Sequence, residues 1–177
     1  MSQIFLTSAA DKVMDDIVTH LPFSPLNSNL AFITTAAETE IGDHWWIKVN
    51  RDKLATLGFL IDEFSITGLT SDQIETKLAN KQVIFVDGGS TAHLLKQSIK
   101  FGFDKILKRK LSEGVVYVGS SAGSVVLDQS NLKIVDYNIY PHSSKSNKFN
   151  ENVNNVQLTD YQYLYINQGK AKFIDVK

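Results

Sequence analysis

Val83-Ile84-Phe85-Val86 and Val115-Val116-Tyr117-Val118 are short runs without a charged or amide side chain, and a glycine-rich turn closes each one. A strand that is apolar on both faces must be covered on both faces. That condition is met by a parallel sheet with helices on either side. Ile4-Phe5-Leu6, Leu30-Ala31-Phe32-Ile33 and the Phe59–Ile66 region supply three more strand-type segments. Amphipathic stretches separate them. Val13, Met14, Ile17, Val18 and Leu21 recur at helical spacing until Pro22 and Pro25. A second helix is expected from Trp45 to Leu57, ending at Gly58, and a third after Thr70, which forms a capping box with Gln73. Further helices are predicted from Ser90-Thr91 through Ile99 and from Asp104 to Leu111. Near the C-terminus, Tyr163–Ile166 and Ala171–Ile174 flank Asn167-Gln168-Gly169-Lys170, which reads as a β-hairpin.

The 177 residues suit one domain, expected to span 1–177, with no linker or internal repeat to divide it. The net charge of −1 gives no electrostatic grip on nucleic acid or on an anionic membrane. Cysteine is absent, which excludes a thiol nucleophile, a thiolate metal site and a disulfide framework. Met1–Ser8 has no basic segment before its short apolar run, and no stretch approaches the ~18 apolar residues of a membrane span. These features lead us to expect a soluble, cytoplasmic protein.

Gly119-Ser120-Ser121-Ala122-Gly123 fits the G-x-S-x-G pattern of a nucleophile elbow. In such a bend between strand and helix the nucleophile's backbone is strained and its hydroxyl exposed. Glycines two positions to either side remove the Cβ atoms that would collide. Ala122 to Leu127 is expected to begin the helix, so that the Ala122 N–H can meet an oxyanion. The same five residues also suit a plain strand-to-helix turn with a serine cap. Asp87-Gly88-Gly89-Ser90-Thr91, at the end of the preceding strand, offers a second backbone donor at Gly89. Neither turn matches a phosphate-binding glycine pattern.

A serine nucleophile needs a base, and the chain has four histidines. His20 ends the first helix and reads as a surface residue. His44 precedes two tryptophans at a boundary position. His93 lies in the first turns of a helix after the double glycine, near the site without acting in it. His142 follows the nucleophile in chain order and comes directly after Pro141, at the end of the strand-like Ile134–Tyr140 segment.

Three motifs together resemble the peptidase E (aspartyl dipeptidase) family of serine peptidases. They are the Asp87–Thr91 turn, Tyr117–Gly123, and Ile134-Val135-Asp136-Tyr137-Asn138-Ile139-Tyr140-Pro141-His142. The opening Ile4–Ser8 and Ile33–Ala36 also fit. The resemblance implies a flavodoxin-like three-layer α/β sandwich with a mostly parallel central sheet, related to class I glutamine amidotransferases. It implies metal-free removal of an N-terminal aspartate from short peptides. Ser121 is then the nucleophile, His142 the general base, and Gly89 and Ala122 the oxyanion donors. No cofactor is implied. The partners expected are a short peptide substrate and a second copy of the chain as a homodimer.

Ser121 and His142 are 21 residues apart, fewer than in the family, where the acid of the triad lies in that interval. Asp128 and Asp136 are the carboxylates found there. Asp136 lies six residues before His142, roughly 20 Å away if the chain is extended. Asp128 reaches the histidine only if the chain folds back, and neither is assigned. The polar segment Ser143–Asn155 stands where the family has a helix, and Ala92-His93 replaces an aromatic after the double glycine. The alternative function is therefore a catalytically impaired family member acting as a binding or structural protein; an esterase using the same elbow is a third reading.

Overall fold

A computed structural model describes residues 3–144 and 154–176. The central sheet has five parallel strands: β1 (Gln3–Thr7), β2 (Asn29–Ile33), β3 (Leu60–Phe64), β4 (Val83–Val86) and β5 (Val116–Ser120). Two antiparallel strands, β8 (Gln162–Asn167) and β9 (Lys170–Asp175), complete it in the order β3-β2-β4-β5-β1-β8-β9. A separate pair, β6 (Asn138–Tyr140) and β7 (Asn155–Gln157), runs in parallel.

Alternation along the strands sorts their side chains to two cores. Ile4, Leu6, Ala31, Ile33, Ile84, Val86 and Tyr117 face α3 (Ser71–Leu78), α4 (Thr91–Lys100), α5 (Phe103–Ser112) and the short α6 (Ala122–Val125). Phe5, Leu30, Phe32, Val83, Phe85, Val116 and Val118 face α1 (Ala10–Ile17) and α2 (Trp45–Thr56). This is the predicted three-layer α/β sandwich with its C-terminal hairpin. The Thr70 capping box forms as expected, with both reciprocal bonds present.

Local differences have physical causes. The third strand ends at Phe64, because the Ile66 and Thr67 N–H groups go to the Thr35 and Ser65 hydroxyls rather than to a neighbouring strand. Of the expected Ile134–Tyr140 strand only Asn138–Tyr140 pairs. Ile134 N–H and Val135 N–H instead close a turn onto the Leu127 carbonyl. The elbow helix is four residues long rather than running to Leu127. Most of the polar segment expected after Ser143 lies outside the described residues. No described helix is long and apolar enough to cross a membrane.

Adjacent β4, β5 and β1 end side by side, so Asp87-Gly88, Ser120-Ser121 and Thr7-Ser8 share one edge of the sheet. The carboxyl edge of a parallel sheet is where such folds build their sites. Beneath it, the fully buried Tyr117 hydroxyl donates to the Gly123 carbonyl at 2.6 Å. Burial holds this phenol well above its ordinary pKa, so it stays a donor. Tyr117→Phe strands that carbonyl. It is expected to lower unfolding free energy by about 1–2 kcal/mol, read by denaturant titration.

Candidate active site

Two glycines shape the bend at Ser121. A Cβ on Gly119 would stand 2.5 Å from the Gly123 carbonyl oxygen, and one on Gly123 would stand 2.0 Å from the Val86 oxygen. Both distances are far inside contact, so no larger residue fits without moving backbone. Ser124 ties the bend to β1: its hydroxyl accepts from Thr7 N–H at 2.8 Å and lies 2.7 Å from the Thr7 carbonyl. The Ser121 N–H donates to that carbonyl at 3.1 Å. Held this way, Ser121 adopts φ 50° and ψ −110°, a strained conformation for a residue with a side chain. It is the conformation expected of a nucleophile elbow.

The Asp87-Gly88-Gly89 turn packs beside it. A Cβ on Gly88 would lie 3.4 Å from the Ser121 Cβ. Gly89 has φ +136°, and a Cβ there would meet the Ala36 carbonyl oxygen at 2.3 Å. Among the described residues, no hydrogen bond engages the Gly89 or Ala122 N–H. Gly89 lines the same cavity as Ser121, and Ala122 opens the helix that follows it.

His142 reaches Ser121 from the small parallel pair. Its Nε2 is 3.1 Å from Ser121 Oγ, and its Nδ1 is 3.0 Å from Asp160 Oδ1. Ser8 braces this group. Its hydroxyl accepts the His142 N–H at 2.6 Å and donates to Asp160 Oδ1 at 2.9 Å. The β6–β7 pairing explains the meeting. It continues past the strand ends as Leu158 N–H to the Tyr140 carbonyl and Ser143 N–H to the Leu158 carbonyl, both 2.9 Å. Pro141-His142 therefore runs alongside Leu158-Thr159-Asp160.

Asp160 is absent from the sequence candidates, because the familiar α/β-hydrolase order places the acid before the histidine and Asp160 follows it. The signal available was a carboxylate just ahead of the C-terminal hairpin, whose first strand pairs antiparallel with β1 and so begins beside Ser8. The two expected candidates do other work. Asp128 is buried and its Oδ1 accepts the Ser130 and Asn131 N–H groups and the Asn131 amide, capping the turn after α6. Asp136 precedes β6 and shows no contact with His142.

The remaining histidines stand apart from Ser121. His20 stacks on Tyr165 with ring centroids 5.4 Å apart. The His44 ring lies 3.0 Å from the Glu40 carbonyl and 5.2 Å from the Trp46 ring centroid. His93 pairs with Glu38 at 2.7 Å.

A cavity of about 280 Å³ opens over Ser121 and His142, walled by Trp45, Trp46, Asn50, Asp11 and the double glycine. Behind the glycines Asp87 is fully buried. Its Oδ1 accepts Gly88 N–H at 2.7 Å and Asn50 Nδ2 at 2.8 Å, while its Oδ2 has no partner. Burial pushes its carboxyl up to about 7, against the two hydrogen bonds.

The geometry is that of a serine–histidine–carboxylate triad on the carboxyl edge of a parallel sheet, beside a glycine turn able to face an oxyanion. Residues 4–131 match the profile of peptidase family S51, and the chain belongs to that family. An uncharacterized peptidase of Listeria monocytogenes is 31% identical over 126 residues, which are 71% of this chain and 60% of that protein. A Pasteurella multocida counterpart is 26% identical over 162 residues, covering 80% of this chain and 77% of the relative. The chain thus spans about three-fifths of the Listeria relative's length. Among solved structures, a Listeria monocytogenes protein assigned to peptidase E superposes with a TM-score of 0.89 at 23% identity, covering 100% of both chains. A peptidase from an acI-B1 Actinobacterium gives 0.69 at 14% identity, covering 99% of this chain and 88% of the other. These likenesses are of fold.

Strain at Ser121 is testable without substrate. Ser121→Gly and Ser121→Ala both remove the hydroxyl, but only glycine relaxes a positive φ. The glycine variant is expected to be the more stable of the two by about 1 kcal/mol, measured by thermal or denaturant unfolding.

Proposed function

We propose that this chain is a serine-type peptidase that hydrolyses short peptides through an acyl-enzyme on Ser121. The family resemblance implies N-terminal aspartyl dipeptides as the substrate class. One observation carries the reading: the continuous chain Ser121 Oγ, His142, Asp160, at 3.1 and 3.0 Å. His142 Nε2, neutral, takes the hydroxyl proton as Oγ attacks the scissile carbonyl. Asp160 accepts the Nδ1–H, which fixes the tautomer and favours the imidazolium that forms. The oxyanion is received by the Gly89 and Ala122 N–H groups. Collapse breaks the C–N bond, and His142 returns the proton to the leaving amine. Water then repeats the sequence on the ester, releasing the acid and restoring Ser121.

A cavity of about 280 Å³ favours a small peptide over a folded segment. The described walls contain no lysine or arginine to meet an aspartyl carboxylate. The side-chain preference therefore rests on the resemblance alone. A purely binding role drew its force from the missing acid between Ser121 and His142. Asp160, on the far side of the histidine, supplies the acid and favours catalysis.

A fluorophosphonate probe tests the reading. Covalent labelling on Ser121 is expected, absent in Ser121→Ala. Asp160→Asn is expected to lower kcat on dipeptides by about 10²–10⁴-fold; the lower end reflects an acid whose side chain is 49% exposed. A well-folded protein that never labels would overturn the proposal. Turnover of p-nitrophenyl esters but of no peptide in a panel that includes Asp-Leu and Leu-Leu would replace it with an esterase.

A further inference from the structure

Asp87 is a carboxyl group placed behind the turn that faces the reacting carbonyl, and the catalytic sequence above makes no use of it. Its surroundings specify its hydrogen bonds. The Asn50 Oδ1 accepts the Asp11 N–H at 3.0 Å, so the other end of the amide, Nδ2, must point at Asp87. Gly88 N–H points at the same oxygen. Oδ1 is therefore an acceptor in either charge state, and a proton on Asp87 resides on Oδ2, which is buried and unpartnered. Trp46, one helical turn before Asn50 on α2, donates its Nε1–H to the Gly88 carbonyl at 3.3 Å. In a trans peptide the N–H points opposite the carbonyl, so pinning the Gly88 oxygen aims the Gly89 N–H the other way. The side chains of Trp46 and Asn50 thus clamp the turn from one face of α2.

We propose that Asp87 serves as a neutral buried acid behind the oxyanion turn, and that its ionisation switches the Ser121 centre off. This rests on the peptidase reading and deepens it. From Asp87 Oδ1 to Gly88 N is 2.7 Å, and one residue of chain plus one hydrogen bond separates that nitrogen from the oxyanion. The two oxygens are then at most roughly 9 Å apart. At an effective dielectric near 20, a full negative charge at that range slows formation of a second one on the order of tenfold. Neutral Asp87 keeps its structural hydrogen bonds without opposing the oxyanion.

The neighbours act in the same direction. Asp11 of α1 and Glu63 of β3 are carboxylates facing Asp87, and both disfavour its charge. Lys12 and Arg51 pair with them and temper the effect. Trp46 and Asn50 of α2 and the hydroxyls of Ser120 and Ser121 carry no charge. His142 stands across the cavity and must be neutral to act as base. Burial pushes Asp87 to about 7, which places the switch near neutrality. Raising pH through about 7 ionises Asp87 and opposes the oxyanion, so the rate falls on the alkaline side.

The experiment compares the fluorophosphonate labelling rate and the dipeptide kcat of the wild-type chain and Asp87→Asn from pH 5 to 9. Wild type is expected to lose on the order of tenfold above neutrality, and Asp87→Asn to lose that alkaline fall. In parallel, the ¹³C signal of the Asp87 carboxyl in wild-type protein is expected to titrate near pH 7, with the Gly88 and Gly89 amide resonances moving at the same midpoint. An alkaline limb retained in Asp87→Asn, or a wild-type rate that climbs to pH 9, overturns the role of Asp87 and leaves the peptidase reading intact. Should Asp87→Asn fail to fold, a carboxyl carbon already ionised at pH 5 overturns the role on its own. No labelling of wild type at any pH overturns the peptidase reading first.

Discussion

The site depends on the tie between the end of β1 and the bend after β5. The Thr7 carbonyl receives the Ser121 N–H, and Ser124 holds both backbone polar groups of Thr7. Without that bracing, a serine at φ 50° would relax toward an ordinary conformation and its hydroxyl would turn away. The glycines at 119 and 123 are the complement of this bracing. They let two chain segments approach within distances that exclude a Cβ. The same β1 end continues into Ser8, which holds His142 and Asp160. A single strand terminus therefore positions Ser121 on one side and His142 and Asp160 on the other.

The fold was largely legible because its information is local. Four-residue apolar runs such as Val83–Val86 specify strands buried on both faces, and Thr70 with Gln73 specifies a helix start through bonds within one turn. Ser121 was legible for the same reason: its bend is encoded by glycines two residues away. Asp160 was not, because nothing near it in sequence says that β6 will pair with β7 and bring Pro141-His142 alongside. The Asn50–Asp87 contact was equally hidden. It joins a helix with weak amphipathic patterning to the end of a strand 37 residues later. Long-range polar contacts leave no periodic trace in a single sequence.

The interior around the glycine turn is kept polar at a cost. Asp87 has one oxygen without a partner in a fully buried position, where a neutral leucine or valine would pack without penalty. Buried groups of this kind concentrate where a site needs a fixed electrostatic environment. Here the strained Ser121 and the underpaired Asp87 lie on adjacent strand ends. Two local costs of folding thus meet at the edge of the sheet that carries the cavity.

The small β6–β7 pair has a separate consequence. It carries His142 and Asp160 together, whereas Ser121 belongs to the main sheet. The chain from Asp128 to Tyr137 joins the two, with Leu132 and Val135 packed into the core on the way. Excursions of quite different size in this stretch are compatible with the same three-residue alignment, as long as the two short strands stay in register. A brief connection between Ser121 and His142 is then compatible with their meeting at 3.1 Å.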